Sequence, residues 1–366
     1  MNTLGNKLRV TIFGQSHGQA IGCVVDGLPS GFRPDMEKLA AFMARRAPGR
    51  SELSTKRKET DAAQIVSGML DGVLCGAPLC AVMANSDHHS ADYAALKDIP
   101  RPSHADYTAR MKYGESCDLR GGGQFSGRLT APLCFAGGIA LQILEEKGIH
   151  IGAHIAQIAT VRDFTPDFST IDAASLKHLS EKTLPVFDNT AILAMHQTIE
   201  NAAQDGDSVG GMIRCFAVGL PAGIGEPMFG GVENRLACAM FGIPAVRGVS
   251  FGDGFDAAEM RGSIHTDPYF VENSRVVTQT NHAGGVLGGI TTGMPLVVNV
   301  AFKPTPSIAR EQSSVDLSTM ENTTLSIHGR HDPCIVPRAV PVVEAVTALT
   351  LLDLLLEDNT YVIKKL

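Results

Sequence analysis

Asp26-Gly-Leu-Pro-Ser-Gly31 closes one β-like run, and Val218-Gly-Leu-Pro-Ala-Gly223 closes another near the middle of the chain. The runs leading into them, Ala20–Asp26 and Met212–Leu220, have the apolar, β-branched character of strands. The echo points to a duplicated α/β unit with a pseudo-twofold arrangement. Turns of the Gly-x-Pro-x-Gly kind are common, so coincidence gives the same pattern. No long linker divides the halves, and one composite domain over residues 1–366 is expected. Further strands are expected at Ala62–Leu74, Pro78–Asn85 and Pro295–Phe302. Helices are expected at Asp35–Arg46, Ala131–Lys147, Val232–Phe241 and Val340–Leu356. Pro341 would then fall in a first helical turn, where proline is tolerated.

Composition narrows the classes. The 366 residues suffice for a sizeable core, and a net charge of −7 offers no basic field for nucleic acid or a membrane surface. The most apolar stretch, Ile335 to Leu356, is interrupted by Arg338, Pro341, Glu344 and Asp353 and reads as a buried helix, not a membrane span. Eight cysteines without a Cys-x-x-Cys pair read as reduced, mostly buried thiols of a cytoplasmic protein. A strand begins within eight residues of the N-terminus with no apolar leader, so no signal peptide is expected.

Three separated segments can carry chemistry. In Arg9-Val-Thr-Ile-Phe-Gly14-Gln-Ser-His17-Gly18 a short strand ends in small residues, and His17 there can face a ligand closely. Arg101-Pro-Ser-His104-Ala-Asp106-Tyr107 precedes the run Arg120-Gly-Gly-Gly-Gln-Phe-Ser-Gly-Arg128. Glycine-rich backbone before a helix binds anions, although His104 also suits an exposed loop. The third segment runs from Asn281–Ile290 through Lys303-Pro-Thr-Pro-Ser307 to His328-Gly-Arg-His-Asp332-Pro-Cys334. It lacks the thiolate pair or His spacing of a metal site, so no metal is expected. Its His331 and Asp332 can equally tie a loop. The basic run Arg45, Arg46, Arg50, Lys56, Arg57, Lys58 fits a solvated helix end as well as an anion clamp. No glycine fingerprint of a dinucleotide dehydrogenase is present.

Taken together, these runs resemble the chorismate synthase family. The matching elements include Gly14-Gln-Ser-His-Gly18, Asp26-Gly-Leu-Pro29, His104-Ala-Asp-Tyr-Thr108, Gly121–Gly123, Gly223-Ile-Gly-Glu-Pro227, Gly248–Phe255, Asn281–Gly289, Lys303-Pro-Thr305 and Gly329-Arg-His-Asp-Pro-Cys334, in the family's order. The resemblance implies an α+β fold with a β-α-β sandwich core of two pseudo-symmetric halves, assembled as a homotetramer. It implies 5-enolpyruvylshikimate 3-phosphate (EPSP) as substrate, a 1,4-elimination giving chorismate and phosphate, and reduced FMN without net redox change. His17 would protonate the departing phosphate, His104 would stabilise or protonate the flavin, and Asp332 would assist proton movement. Ser16, Arg46, Arg50, Arg128 and Arg330 would hold substrate. Gln124, Phe125, Ser126, Pro244, Ala245, Asn281, Gly288, Lys303, Pro304, Thr305, Pro306, Ser307 and Arg330 would contact FMN.

No extra domain offers an NADP site, so an external flavin reductant is expected. The chain departs from the family's usual residues at Gln15, Glu52, Gln124, Phe125 and Pro244. Glu52 stands where an arginine is usual and would repel a phosphate; Arg50 lies two residues earlier. Two rival readings follow: a divergent flavin-binding paralogue with weak or altered activity, and an anion- or nucleic-acid-binding module. The acidic balance and the scarcity of aromatics beside the basic run argue against the second.

Overall fold

The computed structural model describes residues 2–47, 49, 61–85, 98–327 and 332–358. Strands β1 (Thr3–Leu4), β2 (Arg9–Gly14) and β3 (Ala20–Asp26) lead into helix α1 (Met36–Arg46). Asp35 caps α1 by accepting from the backbone N–H groups of Glu37 and Lys38 at 3.0 Å, which satisfies two donors a helix start leaves orphaned. The expected strand at 62–74 is instead three pieces: β4 (Gln64–Ser67), β5 (Met69–Leu70) and β6 (Val73–Leu74). Gly68 and the Asp71-Gly72 turn, all at positive φ, break it. Then follow β7 (Leu79–Ala84), α2 (Asp106–Tyr113) and α3 (Thr130–Glu146).

The second half comprises β8 (His150–Ile158), β9 (Val161–Arg162), α4 (Ala173–Glu181), α5 (Thr190–Gln204) and β10 (Gly211–Val218). After α6 (Val232–Met240) and β11 (Val246–Phe251) come a short helix α7 (Gly262–His265) and the hairpins β12 (Tyr269–Glu272)–β13 (Arg275–Thr278) and β14 (Val286–Leu287)–β15 (Ile290–Thr291). The half ends with β16 (Leu296–Phe302), the hairpin β17 (Gln312–Asp316)–β18 (Glu321–Leu325) and α8 (Val336–Glu357).

Two five-stranded antiparallel sheets result, ordered β1-β2-β3-β7-β4 and β11-β16-β10-β8-β9. The run β2-β3-α1-β4-β7-α3 repeats as β8-β10-α6-β11-β16-α8, each with the same sheet order. The two sequence echoes match in backbone shape as well. Gly27 and Gly219 have φ +90° and +82°, and Gly31 and Gly223 have φ +89° and +100°. The duplication expected from sequence is thus present in the topology.

Helices α3 and α8 pack on each other between the sheets, with α1 and α6 beside them. Glycine sets that spacing. A Cβ on Gly137 would lie 2.3 Å from Ala345 Cβ, and one on Gly138 would lie 2.5 Å from Leu39 Cδ1. The helices α3 and α8 are apolar enough to cross a membrane by composition, but they form this core layer and are mostly buried in it. Helix α8 starts at Val336, earlier than expected. Pro337 occupies its first turn, and Pro341 lies inside the helix.

The charges that interrupt α8 are paired. Glu344 accepts from Arg45 at 2.6 and 2.9 Å and from the Ala153 backbone N–H at 3.0 Å. Asp353 accepts from the backbone N–H groups of Asn6, Lys7 and Leu8, and it pairs with Arg235. Buried carboxylates are tolerated on such terms. All eight cysteines are free; four are buried, two half-buried and two exposed, so fewer are buried than expected. Burial pushes the thiols of Cys23, Cys134, Cys215 and Cys334 up to about 12, which leaves them unreactive.

On β8 the His154 ring is fully buried against Phe187 and Phe216, and its Nδ1–H donates to Asp163 at 2.8 Å. Burial holds its pKa below the usual 6.5, against the opposing pull of Asp163. Below that pH the unfolded chain takes up a proton that the folded chain refuses, so stability is lost as pH falls from about 6.5. Urea midpoints are expected to drop between pH 6.5 and 5. In His154→Gln the slope should flatten by up to one proton, about 1.4 kcal/mol per pH unit.

Candidate active site

A cavity of about 680 Å³ opens between the end of α1, the 101–105 loop, the glycine turn before α3, the 241–247 segment, residues 302–307 and the start of α8. Its walls come from both halves of the duplication.

The glycine turn brings two histidines together. Residues 121–123 adopt φ of +58°, +86° and +54°, which a side-chain-bearing residue rarely does. A Cβ on Gly121 would lie 2.7 Å from His17 Nε2 and 2.8 Å from Ser16 Oγ. A Cβ on Gly122 would lie 3.3 Å from His104 Nε2. The Gly123 carbonyl also accepts from the Ser16 backbone N–H at 3.1 Å, which fixes the turn against the His17 loop. His104 lines the cavity; buried His17 sits directly behind Gly121, itself a lining residue.

Asp106 orients His104. The His104 Nδ1–H donates to Asp106 Oδ1 at 2.6 Å, so Nε2 is left for the cavity side. Arg101 straddles the same carboxylate at 2.7 and 2.8 Å and reaches Ser307 Oγ at 3.2 Å. Burial opposes ionisation of Asp106, but the hydrogen bonds from Arg101 and His104 prevail and hold it well below the usual carboxylate range.

Two of the arginines expected to hold substrate converge on Asp61. Arg46 Nε donates to Asp61 Oδ2 at 3.0 Å, Arg46 Nη1 reaches Thr130 Oγ1 at 3.3 Å, and Arg128 pairs with Asp61 Oδ1. All three charged groups are buried, and their sum is one positive charge. Asp332 pairs with Arg338, whose Nε donates at 3.0 Å to the carbonyl of Arg46 at the end of α1. Burial lowers the Arg338 pKa, an effect Asp332 opposes.

The cavity is also lined by Lys303, Thr305, Pro306 and Ser307 with Pro244 and Ala245. The Lys303 Nζ donates to the Ser103 carbonyl. Burial first, and Arg247 second, lower its pKa. Among the described residues neither Lys303 nor Arg247 has a carboxylate partner. Ala245 and Ser103, both non-glycine, sit at φ +73° and +59°. Strained backbone of this kind collects at functional sites.

Of the expected site residues, His104, Asp332, Arg46, Arg128, Gln124, Phe125, Ser126, Pro244, Ala245, Lys303, Thr305, Pro306 and Ser307 meet in this cavity, with Ser16 and His17 behind it. Pro304 is adjacent in sequence, but it is exposed and does not line the cavity. Asn281 and Gly288 are not brought in. The Asn281 amide donates to the carbonyls of Pro295 and Phe168, which makes it a loop tie. Gly288 is exposed in the β14–β15 turn. Arg50, Glu52 and Arg330, with His328 and His331, lie outside the described residues.

Asp61, Arg247 and Arg338 are site residues that the sequence did not point to, while Arg101 and Asp106 stand in the His104 segment with no role assigned from sequence. The spacing of Arg101 and Asp106 around His104 was the one available signal.

The fold and the cavity together define an enzyme that performs acid–base chemistry on a small polyanion. The family model for chorismate synthase matches residues 8–356. The chain is 45% identical over 349 residues to the chorismate synthase of Korarchaeum cryptofilum, covering 95% of this chain and 96% of that one. It is 46% identical over 357 residues to that of Thermococcus gammatolerans, covering 98% of each. A crystal structure of chorismate synthase superposes with a TM-score of 0.75 at 27% identity, covering 96% of this chain and 93% of that one. The chain belongs to the chorismate synthase family.

Proposed function

We propose that this cavity is where the family's reaction takes place and that its residues divide the work as follows. The chain is a lyase that converts EPSP to chorismate and phosphate by 1,4-elimination, with reduced FMN and no net redox change. The observation that carries the site assignment is the meeting of His17 and His104 on the Gly121–Gly122 turn, next to two arginines that share one aspartate.

EPSP carries two carboxylates and a phosphate. Arg46, Arg128 and Arg101 face that charge with planar forks suited to carboxylate and phosphate. Fixing them on Asp61 and Asp106 orders them before substrate arrives, so little reorganisation accompanies binding. His17 holds the proton that the departing phosphate takes up. His104, oriented by Asp106, presents Nε2 as a site that holds or gives a proton. Asp332, tied to Arg338, supplies a second proton-handling group on the far wall.

The residues fit FMN. Thr305 Oγ1 is buried without a hydrogen-bond partner among the described residues, and Lys303 and Arg247 are adjacent cations in want of an anion. These three would hold the phosphate end, with Ser126, Pro244 and Ala245 beside the ring. When bound, reduced FMN supplies an electron-rich ring that eases loss of the leaving group and takes up the hydrogen without net oxidation. Arg247→Ala is expected to weaken FMN binding about tenfold and to leave riboflavin binding within about twofold, since one charge-assisted bond to phosphate is lost. Quenching of flavin fluorescence reads both.

An external reductant, a cytoplasmic location and a homotetramer complete the proposal. The β12–β13 hairpin supports assembly: Tyr269, Val271 and Val276 are 64%, 73% and 64% exposed, a patch suited to a subunit contact. Anaerobic assay with EPSP and chemically reduced FMN tests the function. Phosphate release matched by chorismate absorbance is expected. Flavin binding without turnover would support the divergent-paralogue reading instead.

A further inference from the structure

Asn85 follows β7 and faces three parts of the site at once. Its Nδ2 donates to the carbonyls of Gln15 and Gly18, at 3.0 and 2.9 Å, on either side of His17. Its Oδ1 accepts from Arg128 Nε at 3.1 Å. Its own backbone N–H donates to the Gln19 carbonyl at 3.1 Å. The loop it grips has one internal bond besides, from the Gly18 N–H to the Gln15 carbonyl at 3.0 Å. The Ser16 N–H also donates to the Gly123 carbonyl, and the two bonds from the Asn85 amide bracket His17 from the other side, which suits the tolerance that proton transfer needs. The amide of asparagine is the one small side chain that both donates to two carbonyls and accepts from a guanidinium.

We infer that Asn85 is a positioning residue that locks the His17 turn to Arg128, so that the proton donor and the anion-holding arginine keep a fixed separation. The inference rests on the roles proposed above for His17 and Arg128. The proton donor must sit within hydrogen-bond reach of the leaving phosphate while Arg128 holds the same substrate. A shared anchor enforces that spacing. A displacement of about 1 Å at such a site costs on the order of a hundredfold in rate.

The test is a double-mutant cycle on kcat with His17→Ala, using the full-length enzyme with reduced FMN and saturating EPSP. Asn85→Ala is expected to lower kcat at least tenfold in the wild-type background and by less than twofold in the His17→Ala background. FMN affinity should stay unchanged. Asn85→Asp is the second variant. It is isosteric, keeps the acceptor for Arg128 and loses the donors to Gln15 and Gly18, so it too should lower kcat at least tenfold, and it decides the matter if the alanine variant does not fold.

An equal loss in both backgrounds, or an Asn85→Asp enzyme within twofold of wild type, overturns the inference and leaves the proposed reaction standing. A wild-type chain that forms no chorismate overturns both. A His17→Ala enzyme as fast as wild type removes the role of His17, and the anchor with it.

Discussion

Replacing Asp61 with alanine is expected to destabilise the fold by about 3–5 kcal/mol, the usual cost of stripping one partner from a buried ion pair. That range applies here because one buried carboxylate is shared by two buried guanidiniums. Arg46 and Arg128 are 2% and 6% exposed, and both are bonded to Asp61. Without Asp61 both guanidiniums lose a charge-assisted bond in a region that water reaches poorly. Asp61→Asn should recover little, since the amide keeps the shape but not the charge. Urea denaturation of both variants measures this. A loss below about 1 kcal/mol would mean that the arginines find solvent or another partner. If so, the view of the pair as a pre-ordered anion site is wrong.

The second large effect concerns rate. His17→Ala should lower kcat about a hundredfold, the low end for removal of a general acid, with FMN affinity nearly unchanged. Gly121→Ala should have a comparable effect by a different route. Its φ of +58° is strained for alanine, and the new methyl would need to displace His17 Nε2 or Ser16 Oγ, both within 3 Å. The imidazole chemistry survives in this variant, but its placement does not. Steady-state kcat with saturating EPSP, and flavin titration alongside, separate a rate effect from lost cofactor binding. Unchanged turnover in His17→Ala removes the proton-donor role.

Much of the architecture was readable from local pattern. The Gly-Leu-Pro-x-Gly echoes marked equivalent turns, and the runs before them became the central strands β3 and β10. Helices α1, α3 and α6 fall within a residue or so of their expected bounds, because an amphipathic or apolar repeat and a cap such as Asp35 act over a few residues. Helix α8 starts at Val336, before the expected Val340, because Pro337 and not Pro341 holds the first-turn position. Helices α2, α4 and α5 lie outside the expected set, although α4 and α5 are as amphipathic as α6. The glycine pair in α3 was visible, but that its purpose is contact with Ala345 and Leu39 was not.

The residues proposed to transfer protons and hold anions are legible by type and motif, and the sequence alone settles which side chains are available: His17, His104, Asp332, Arg46, Arg128 and the Lys303–Ser307 run. What depended on tertiary structure was their wiring. Asp61 lies 67 positions from Arg128, Asn85 lies 67 from Gly18, and Arg338 lies 292 from Arg46. No propensity or period spans such distances. Buried charges take whichever partners the packed layers place within reach, because leaving them unpaired in a dry interior costs more than the chain can offset elsewhere. The same reason moved Asn281 out of the expected flavin pocket: its amide is already bonded to two carbonyls of neighbouring loops.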